Sequence, residues 1–275
     1  MRMIRILLRW FCTTFPIRGR HRLANVLGKQ LAPQLEETLD IGGIAFPVDH
    51  SIEMYRYVYY GVYEEFFVNF LRRIIKPGDM VIEPGANVGY ISAILSSLVG
   101  EHGKVYSVEP SRICYAKLEK YLTKQNITLL NKAIADVDGE LDFIDTDRVV
   151  TRGYSALAAF MDKSDSGSKY SIPAITVDTM ANQFGIPRIK LLKLDVEGSE
   201  LIALRGGMKM LSNKSIDYIL VETSFEDATK NGNLAAFQLL SGYGYSCFTM
   251  TRNELKPLDF FAETNSRHDV IWTWR

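Results

Sequence analysis

Short apolar runs alternate with helical stretches along most of the chain from about residue 60 onward. The apolar runs predict buried strands at 80–83, 104–108, 127–133, 190–194 and 218–221. Apolar residues spaced three and four positions apart predict helices at 61–75, 87–99, 111–124, 177–184, 199–211 and 234–240. This alternation predicts an α/β fold with a doubly wound, mostly parallel sheet that is covered by helices on both faces.

Two parts of the pattern depart from the alternation. The last apolar runs, at 245–250 and 270–274, have no long helix between them, so we expect them to pair antiparallel. Residues 145–171 are rich in Ser, Asp and Gly and follow an added strand predicted at 140–144. We expect 145–171 to be a long loop, and loops of this length are typically lids or binding loops.

The first 40 residues are predicted to be a basic, amphipathic helical arm that precedes a main domain at 41–275. The arm has seven basic residues and no acidic one before Glu36. In a helix, Arg2, Arg5 and Arg9 share one face, while apolar residues between positions 3 and 11 cover much of the remainder. Two interpretations stay open: residues 1–20 dock on the main domain or a partner subunit, or they form a peripheral anchor on anionic lipid.

Composition and charge narrow the class of protein. The 275 residues are 47% hydrophobic and 23% charged, which excludes disordered, collagenous and disulfide-scaffold proteins. The 32 basic and 32 acidic side chains give zero net charge, which argues against nucleic acid as a partner. The neutrality is a cancellation, because residues 1–35 carry +7 and the rest of the chain carries −7.

The cysteines and the apolar runs indicate the compartment. Cys12, Cys114 and Cys247 are far apart, odd in number and without a CxxC pair, so neither a zinc ribbon nor a disulfide framework is predicted. We expect each to be a small core residue in a cytoplasmic protein. No apolar run approaches the roughly 18 residues of a transmembrane helix, so any membrane association is expected at the periphery.

Residues of cofactor-binding type follow the first two predicted strands. The first strand leads into Glu83, Pro84, Gly85, Ala86, Asn87, Val88 and Gly89, and this glycine loop opens into a helix N-terminus. The second strand ends at Glu109-Pro110, where a carboxylate can accept hydrogen bonds from ribose hydroxyls. Because carboxyl ends of parallel strands meet at one edge of a sheet, this pattern predicts a nucleoside-cofactor site.

The loop also indicates which nucleoside is bound. The fingerprint of NAD-binding proteins is G-x-G-x-x-G, whereas here Glu83 replaces the first glycine. A carboxylate beside the ligand repels a pyrophosphate but attracts an ammonium group. This favours S-adenosylmethionine, which carries an ammonium and a sulfonium, over NAD.

At this point several ordered motifs resemble one family. They are the segments YGVYE at 60–64, VIEPGANVGY at 81–90, VEP at 108–110, NKAIAD at 131–136, LLKLDVEGSE at 191–200 and VE at 221–222. Together they resemble the FkbM-type S-adenosylmethionine-dependent methyltransferases over roughly residues 41–274. The combination of the G-A-N-x-G loop with the D-V-E-G-x-E segment is specific, whereas one piece alone is weak.

The resemblance implies the seven-stranded class I methyltransferase sheet, Rossmann-like, with its last strand antiparallel. It implies that S-adenosyl-L-methionine is the cofactor and S-adenosyl-L-homocysteine the product. The implied cofactor contacts are Glu83, Gly85, Ala86, Asn87, Gly89, Glu109, Pro110, Ala133, Asp136 and Asp195. One departure is that the family usually has Asp, followed by an aliphatic residue, where this chain has Glu83-Pro84. The extra methylene is expected to displace the loop or to place water between carboxylate and ammonium.

Acidic residues after the fourth and fifth strands are the candidates for catalysis. Asp195 is the first candidate as base or orienter of the acceptor hydroxyl, and Glu197 is the second. The alternative is that these acids cap the following helix. Glu222 could complete a divalent-cation cluster with them, although a metal is not expected.

The function predicted is therefore O-methylation of a hydroxyl on a small molecule or glycan. Two alternatives are kept open. One is a weak or inactive cofactor-binding or scaffold protein of the same fold, and the other is an NAD-dependent oxidoreductase.

Overall fold

The framework of the protein consists of strands and helices that alternate along the chain in the computed structural model, which describes residues 1–15, 17–146, 155–157, 167–224, 233–251, 254–258 and 267–275. In these ranges the strands are β1 (Glu36–Ile41), β2 (Ile44–Asp49), β3 (Met80–Pro84), β4 (Lys104–Val108), β5 (Ile127–Leu130), β6 (Ala133–Ile134), β7 (Gly139–Thr146), β8 (Ser155–Leu157), β9 (Gly167–Ile175), β10 (Ile189–Leu194), β11 (Ile216–Ser224), β12 (Ser246–Met250), β13 (Leu255–Pro257) and β14 (Arg267–Thr273). The helices are α1 (Arg2–Thr14), α2 (Arg20–Leu31), α3 (Glu53–Tyr59), α4 (Glu65–Ile74), α5 (Tyr90–Val99), α6 (Arg112–Tyr121), α7 (Val177–Gln183), α8 (Glu200–Arg205), α9 (Met208–Ser212) and α10 (Asn233–Gly242).

The main sheet has the strand order β13-β12-β14-β11-β10-β3-β4-β5. Strands β5, β4, β3, β10 and β11 run parallel, and β14 is inserted antiparallel between β11 and β12. This confirms the predicted doubly wound sheet and its closing antiparallel pair. The expected seven strands are joined, within the described residues, by an eighth, because the short β13 pairs with β12 at the sheet edge.

Alternation along the central strands divides the core between the two faces of this sheet. Ile82 and Leu192 pack in one apolar cluster, whereas their neighbours Val81 and Leu191 pack in another. Successive side chains of a strand point to opposite faces, so a strand that is buried on both faces has a continuous apolar sequence. The apolar runs that predicted β3 and β10 have this origin.

A second sheet, with the order β6-β9-β7-β8, corrects the prediction of a long loop. β7 and β9 pair antiparallel from Gly139 opposite Ala174 to Thr146 opposite Gly167, so 145–146 and 167–171 are strand rather than loop. The predicted strand 127–133 is likewise divided, because β5 ends at Leu130 and β6 pairs with β9. The remainder of the predicted lid, 147–154 and 158–166, lies outside the described residues.

Three predicted helices also differ in their bounds. Those predicted at 61–75 and 87–99 begin later, because Glu64 and Gly89 precede them in the left-handed region at φ 44° and 78°. The helix predicted at 199–211 is two helices, α8 and α9, separated by Gly206 and Gly207. A Cβ on Gly206 would lie 2.0 Å from the Ala135 carbonyl oxygen, so this close packing requires glycine.

The N-terminal region is partly helical, and a β-hairpin lies across the boundary predicted between 40 and 41. β1 pairs with β2 from Glu36 opposite Asp49 to Ile41 opposite Ile44, so the break expected between 40 and 41 falls inside a hairpin. The hairpin at 36–49 was not predicted from the sequence. Among the described residues, no helix combines the length and apolar character needed to span a bilayer. The three cysteines are free and buried, as predicted.

Candidate active site

A cleft lies at the carboxyl ends of the parallel strands β3, β4 and β10, where open α/β sheets bind ligands. The second sheet closes one side of it through β6 and β7. The predicted residues that line the cleft are Gly85, Asn87, Glu109, Pro110, Ala133, Asp195 and Glu197. The fold therefore brings predicted residues from four separate segments of the chain to one cleft.

The glycine loop after β3 passes close to the end of β10. Gly85 has φ 77°, and a Cβ at this position would lie 1.8 Å from the backbone oxygen of Asp195. The backbone N–H of Gly85 donates to the Val108 carbonyl at 2.9 Å. Asn87 is also left-handed, with φ 50°. Only a residue without a Cβ fits at Gly85, because the two strand ends are in contact there.

Glu109 holds the loops after β3 and β4 together. Its carboxylate accepts the N–H of Asn87 at 2.7 Å and the N–H of Ser111 at 2.8 Å. Burial raises the pKa of Glu109 to about 7, although these two hydrogen bonds favour the ionised form. Each carboxylate oxygen has a second lone pair, so Glu109 retains acceptor capacity for a ligand hydroxyl.

Glu83 does not line the cleft, contrary to the expected contact beside the ligand. It is buried, and its carboxylate accepts the hydroxyl of Ser92 at 2.6 Å and that of Ser107 at 3.4 Å. Burial raises the pKa of Glu83 to about 7, while the Lys193 ammonium lowers it in part. The carboxylate is thus held by α5 and β4, and only Pro84 of this pair reaches the cleft.

Three further residues that were predicted to contact the cofactor do not line the cleft. Ala86 is buried beneath the loop. Gly89 precedes α5, where a Cβ would lie 2.7 Å from side-chain atoms of Leu118 and Leu122. Asp136 is exposed. Ala86 and Gly89 therefore serve the packing of the loop and the helix. A sequence motif alone does not distinguish residues with this role from residues that contact a ligand.

Sequence reasoning missed Lys193, which pairs with Asp195. The Lys193 ammonium is buried and lies 2.8 Å from the Asp195 carboxylate, whose side chain is 34% exposed. Burial lowers the pKa of Lys193, but Asp195, Glu64 and Glu83 outweigh it, so the pKa stands above its usual value. The sequence contains a signal for this pair. A lysine within the predicted buried strand 190–194 is expected to be buried, and a buried lysine requires an acidic partner.

The same pair determines the protonation state of Asp195. Burial raises the pKa of Asp195, whereas the charge of Lys193, the hydrogen bond that Lys193 donates and a hydrogen bond shared with Glu222 lower it. The net direction is downward, so Asp195 is ionised in the neutral range. An ionised carboxylate is suited to orient a hydroxyl donor, and its lowered pKa makes it a weaker base.

Carboxylate oxygens of Asp195, Glu197 and Glu222 all lie within 4.8 Å of one another. Glu197 adopts φ 48°, an unusual conformation for a residue with a side chain. The turn before α8 is closed by Glu200, whose carboxylate accepts the N–H groups of Val196 at 3.3 Å and Gly198 at 3.2 Å. Glu197 lines the cleft.

The second sheet supplies an apolar wall to the cleft. Ala133, Ile134 and Phe143 line it together. The sheet is fixed to the start of α6 by Asp145, which accepts the Tyr170 hydroxyl at 2.6 Å and the Arg112 N–H at 3.1 Å. Phe143 was not predicted, because only the pairing of β7 with β9 brings it beside β6.

Taken together, the strand order and the glycine loop with its buried carboxylates define a Rossmann-like fold of the class I methyltransferase type. The sequence of residues 63–247, about two thirds of the chain, matches the family model of the methyltransferase FkbM domain. The chain therefore belongs to this family.

Similar proteins were found by sequence and by structure. Protein-L-isoaspartate O-methyltransferase of Methanothermobacter thermautotrophicus is 31% identical over 108 residues, which are 36% of this chain and 47% of that protein. The chain thus spans about half the length of this curated relative. A methyltransferase FkbM from Methylobacillus flagellatus aligns with 92% of this chain and 59% of its own, at 13% identity and TM-score 0.45. Aeropyrum pernix fibrillarin with bound S-adenosyl-L-methionine covers 76% and 73%, at 13% identity and TM-score 0.42.

Proposed function

We propose that this chain is an S-adenosylmethionine-dependent methyltransferase that acts on a hydroxyl group of a small molecule or glycan. One observation carries the proposal: the Gly85 loop, Glu109 and the Lys193–Asp195 pair converge on one cleft at the carboxyl ends of β3, β4 and β10. Family membership supports the methyl-transfer reaction. The choice of a hydroxyl group as the methyl acceptor rests on the carboxylates that line the same cleft.

The residues of the cleft fit this cofactor. Gly85 and Asn87 line the cleft, and the backbone of Gly85 has no side chain to keep a ligand at a distance. Glu109 has free lone pairs for ribose hydroxyls. Ala133, Ile134 and Phe143 offer an apolar surface for adenine. When bound, S-adenosylmethionine would supply an electrophilic methyl group, whose carbon an acceptor oxygen can attack in line while the bond to sulfur breaks and S-adenosylhomocysteine leaves.

The carboxylates have distinct tasks in this proposal. Asp195 is held by Lys193 and stays ionised, so it accepts a hydrogen bond from the acceptor hydroxyl and orients its oxygen. Glu197 is the second carboxylate that lines the cleft, and its task is to take the hydroxyl proton. Lys193 is a positioning residue, because it acts through Asp195.

Calorimetry with S-adenosylmethionine, S-adenosylhomocysteine and NAD tests the cofactor. We expect the two adenosyl compounds to bind and NAD to leave no signal. Binding of NAD alone would support the oxidoreductase alternative and overturn the proposal. Transfer of a labelled methyl group to hydroxylated small molecules and glycans then tests turnover, and binding without any transfer would support the scaffold alternative.

Substitution at the carboxylates tests their tasks. We expect Asp195→Asn to lower kcat by about 100-fold, the order of loss for a misoriented acceptor oxygen. The matched control is Asp142→Asn, since Asp142 is exposed on β7 and pairs with Lys169 at the surface. A loss below about tenfold for Asp195→Asn, with cofactor affinity intact, would remove Asp195 from the mechanism.

A further inference from the structure

Some basic residues of α1 and α2 are buried in ion pairs within the protein. Arg5 is buried, and its guanidinium lies 3.0 Å from Glu37 of β1. Arg20 is also buried, where it pairs with Glu65. The half-buried Arg9 lies 5.3 Å from the ring centre of Tyr59. Arg5 and Arg9, two of the three arginines expected to meet lipid headgroups, therefore dock α1 on the rest of the protein.

This docking turns the apolar side of α1 outward. Met3, Leu7 and Trp10 are 75%, 57% and 56% exposed, and with the exposed Ile6 they follow the spacing of one helix face. Phe15 continues this face, because its ring packs edge-on against Trp10 at 5.5 Å. Most surface apolar residues are scattered singly, whereas a continuous stripe marks an interaction site.

Exposed basic residues in the same N-terminal region indicate what covers this stripe. Arg2, Arg18, Arg22 and Lys29 are exposed, and the first carboxylate of the chain is Glu36. Exposed cations complement an anionic surface. An exposed tryptophan beside aliphatic residues is typical of a helix lying in the membrane interface.

We propose that the outer face of α1, comprising Met3, Ile6, Leu7, Trp10 and Phe15, binds the surface of a membrane that contains anionic lipids. The helix lies in the plane of the interface with this stripe among the acyl chains. The exposed basic residues contact the headgroups, while the buried arginines keep α1 fixed to the main domain. Membrane binding by this face is independent of the reaction in the cleft.

Vesicle flotation of the full chain tests the proposal. We expect flotation with vesicles of phosphatidylcholine and phosphatidylglycerol, and much less with phosphatidylcholine alone. The double variant Leu7→Glu with Trp10→Glu is expected to lower the partition coefficient at least ~tenfold, because two apolar anchors become charged. Met208→Glu is the matched control, since Met208 is an exposed apolar residue on α9.

A second variant and two checks keep the test decisive. Arg18→Glu with Arg22→Glu is expected to reduce binding to the anionic vesicles, and added salt to reduce binding of the unmodified chain. Circular dichroism establishes that each variant is folded. Equal flotation of the Leu7–Trp10 variant and the unmodified chain, or absence of flotation with anionic vesicles, would overturn the proposal. A dimer in solution that this variant dissociates would overturn it too, by making a second copy the occupant.

Discussion

The buried ammonium of Lys193 lies 2.8 Å from the carboxylate of Asp195, at the point where β10 opens into the cleft. The lysine is on the strand and the aspartate is at its end, so the pair joins the core of the sheet to the candidate site. A single buried cation thereby determines the charge and position of the carboxylate that faces the ligand. This relationship and the features around it lead to four predictions.

Removal of Lys193 is expected to weaken both folding and the site. Lys193→Met leaves the Asp195 carboxylate without its partner and should lower the free energy of unfolding by about 1–3 kcal/mol, discounted because Asp195 is partly solvated. Adding Asp195→Asn should recover part of this loss. Urea unfolding of the two single variants and the double variant measures the coupling, and strict additivity would contradict the pairing.

Gly85→Ala is expected to disrupt the cleft. The new Cβ would meet the Asp195 backbone oxygen, so we expect a loss of at least about 2 kcal/mol and of cofactor binding. Gly185→Ala is the control, because Gly185 has a similar φ of 62° and a Cβ there would meet no described atom within 4 Å. Thermal unfolding and calorimetry of both variants separate the clash from the cost of the left-handed backbone.

Phe143→Leu is expected to weaken S-adenosylmethionine binding by about tenfold, since the ring forms part of the apolar wall. Ile172→Val is the control, because Ile172 packs with Phe143 in the same small core cluster but does not line the cleft. Calorimetry measures both affinities. A similar loss in both variants would assign the effect to stability of the second sheet.

Glu83→Gln is expected to change how stability depends on pH. Because burial raises the pKa of Glu83 to about 7, the folded protein holds this proton after the unfolded chain has released it near pH 4. The free energy of unfolding therefore falls as pH rises between these values and stays lowered above about 7. The neutral Gln avoids this loss.

Denaturant unfolding across the pH range checks this sign. At about pH 8 the Glu83→Gln variant should be more stable than the unmodified chain by about 1–3 kcal/mol, and near pH 4 the difference should disappear. Glu101→Gln, at an exposed position, serves as the control. A Gln variant that is less stable at high pH would show that ionised Glu83 is stabilised by Lys193.

The local pattern of the chain was sufficient for the parallel sheet and for much of the cleft. Buried strands such as β3 and β10 are continuous apolar runs because both of their faces are covered, and Gly85 and Glu109 follow directly from the ends of such strands. These features depend on neighbours in sequence. The carboxyl ends of parallel strands then meet by geometry alone, which brought Asp195 to Gly85.

Contacts between distant segments could not be obtained in this way. Whether Glu83 faces the ligand or Ser92 depends on side-chain packing between β3 and α5, and Phe143 reaches the cleft only through the pairing of β7 with β9. The docking of α1 is the clearest case. The sequence determined an amphipathic, basic helix, but only tertiary contacts such as the ion pair of Arg5 with Glu37 decided that part of its basic face turns inward, because an ion pair requires both charges in one place.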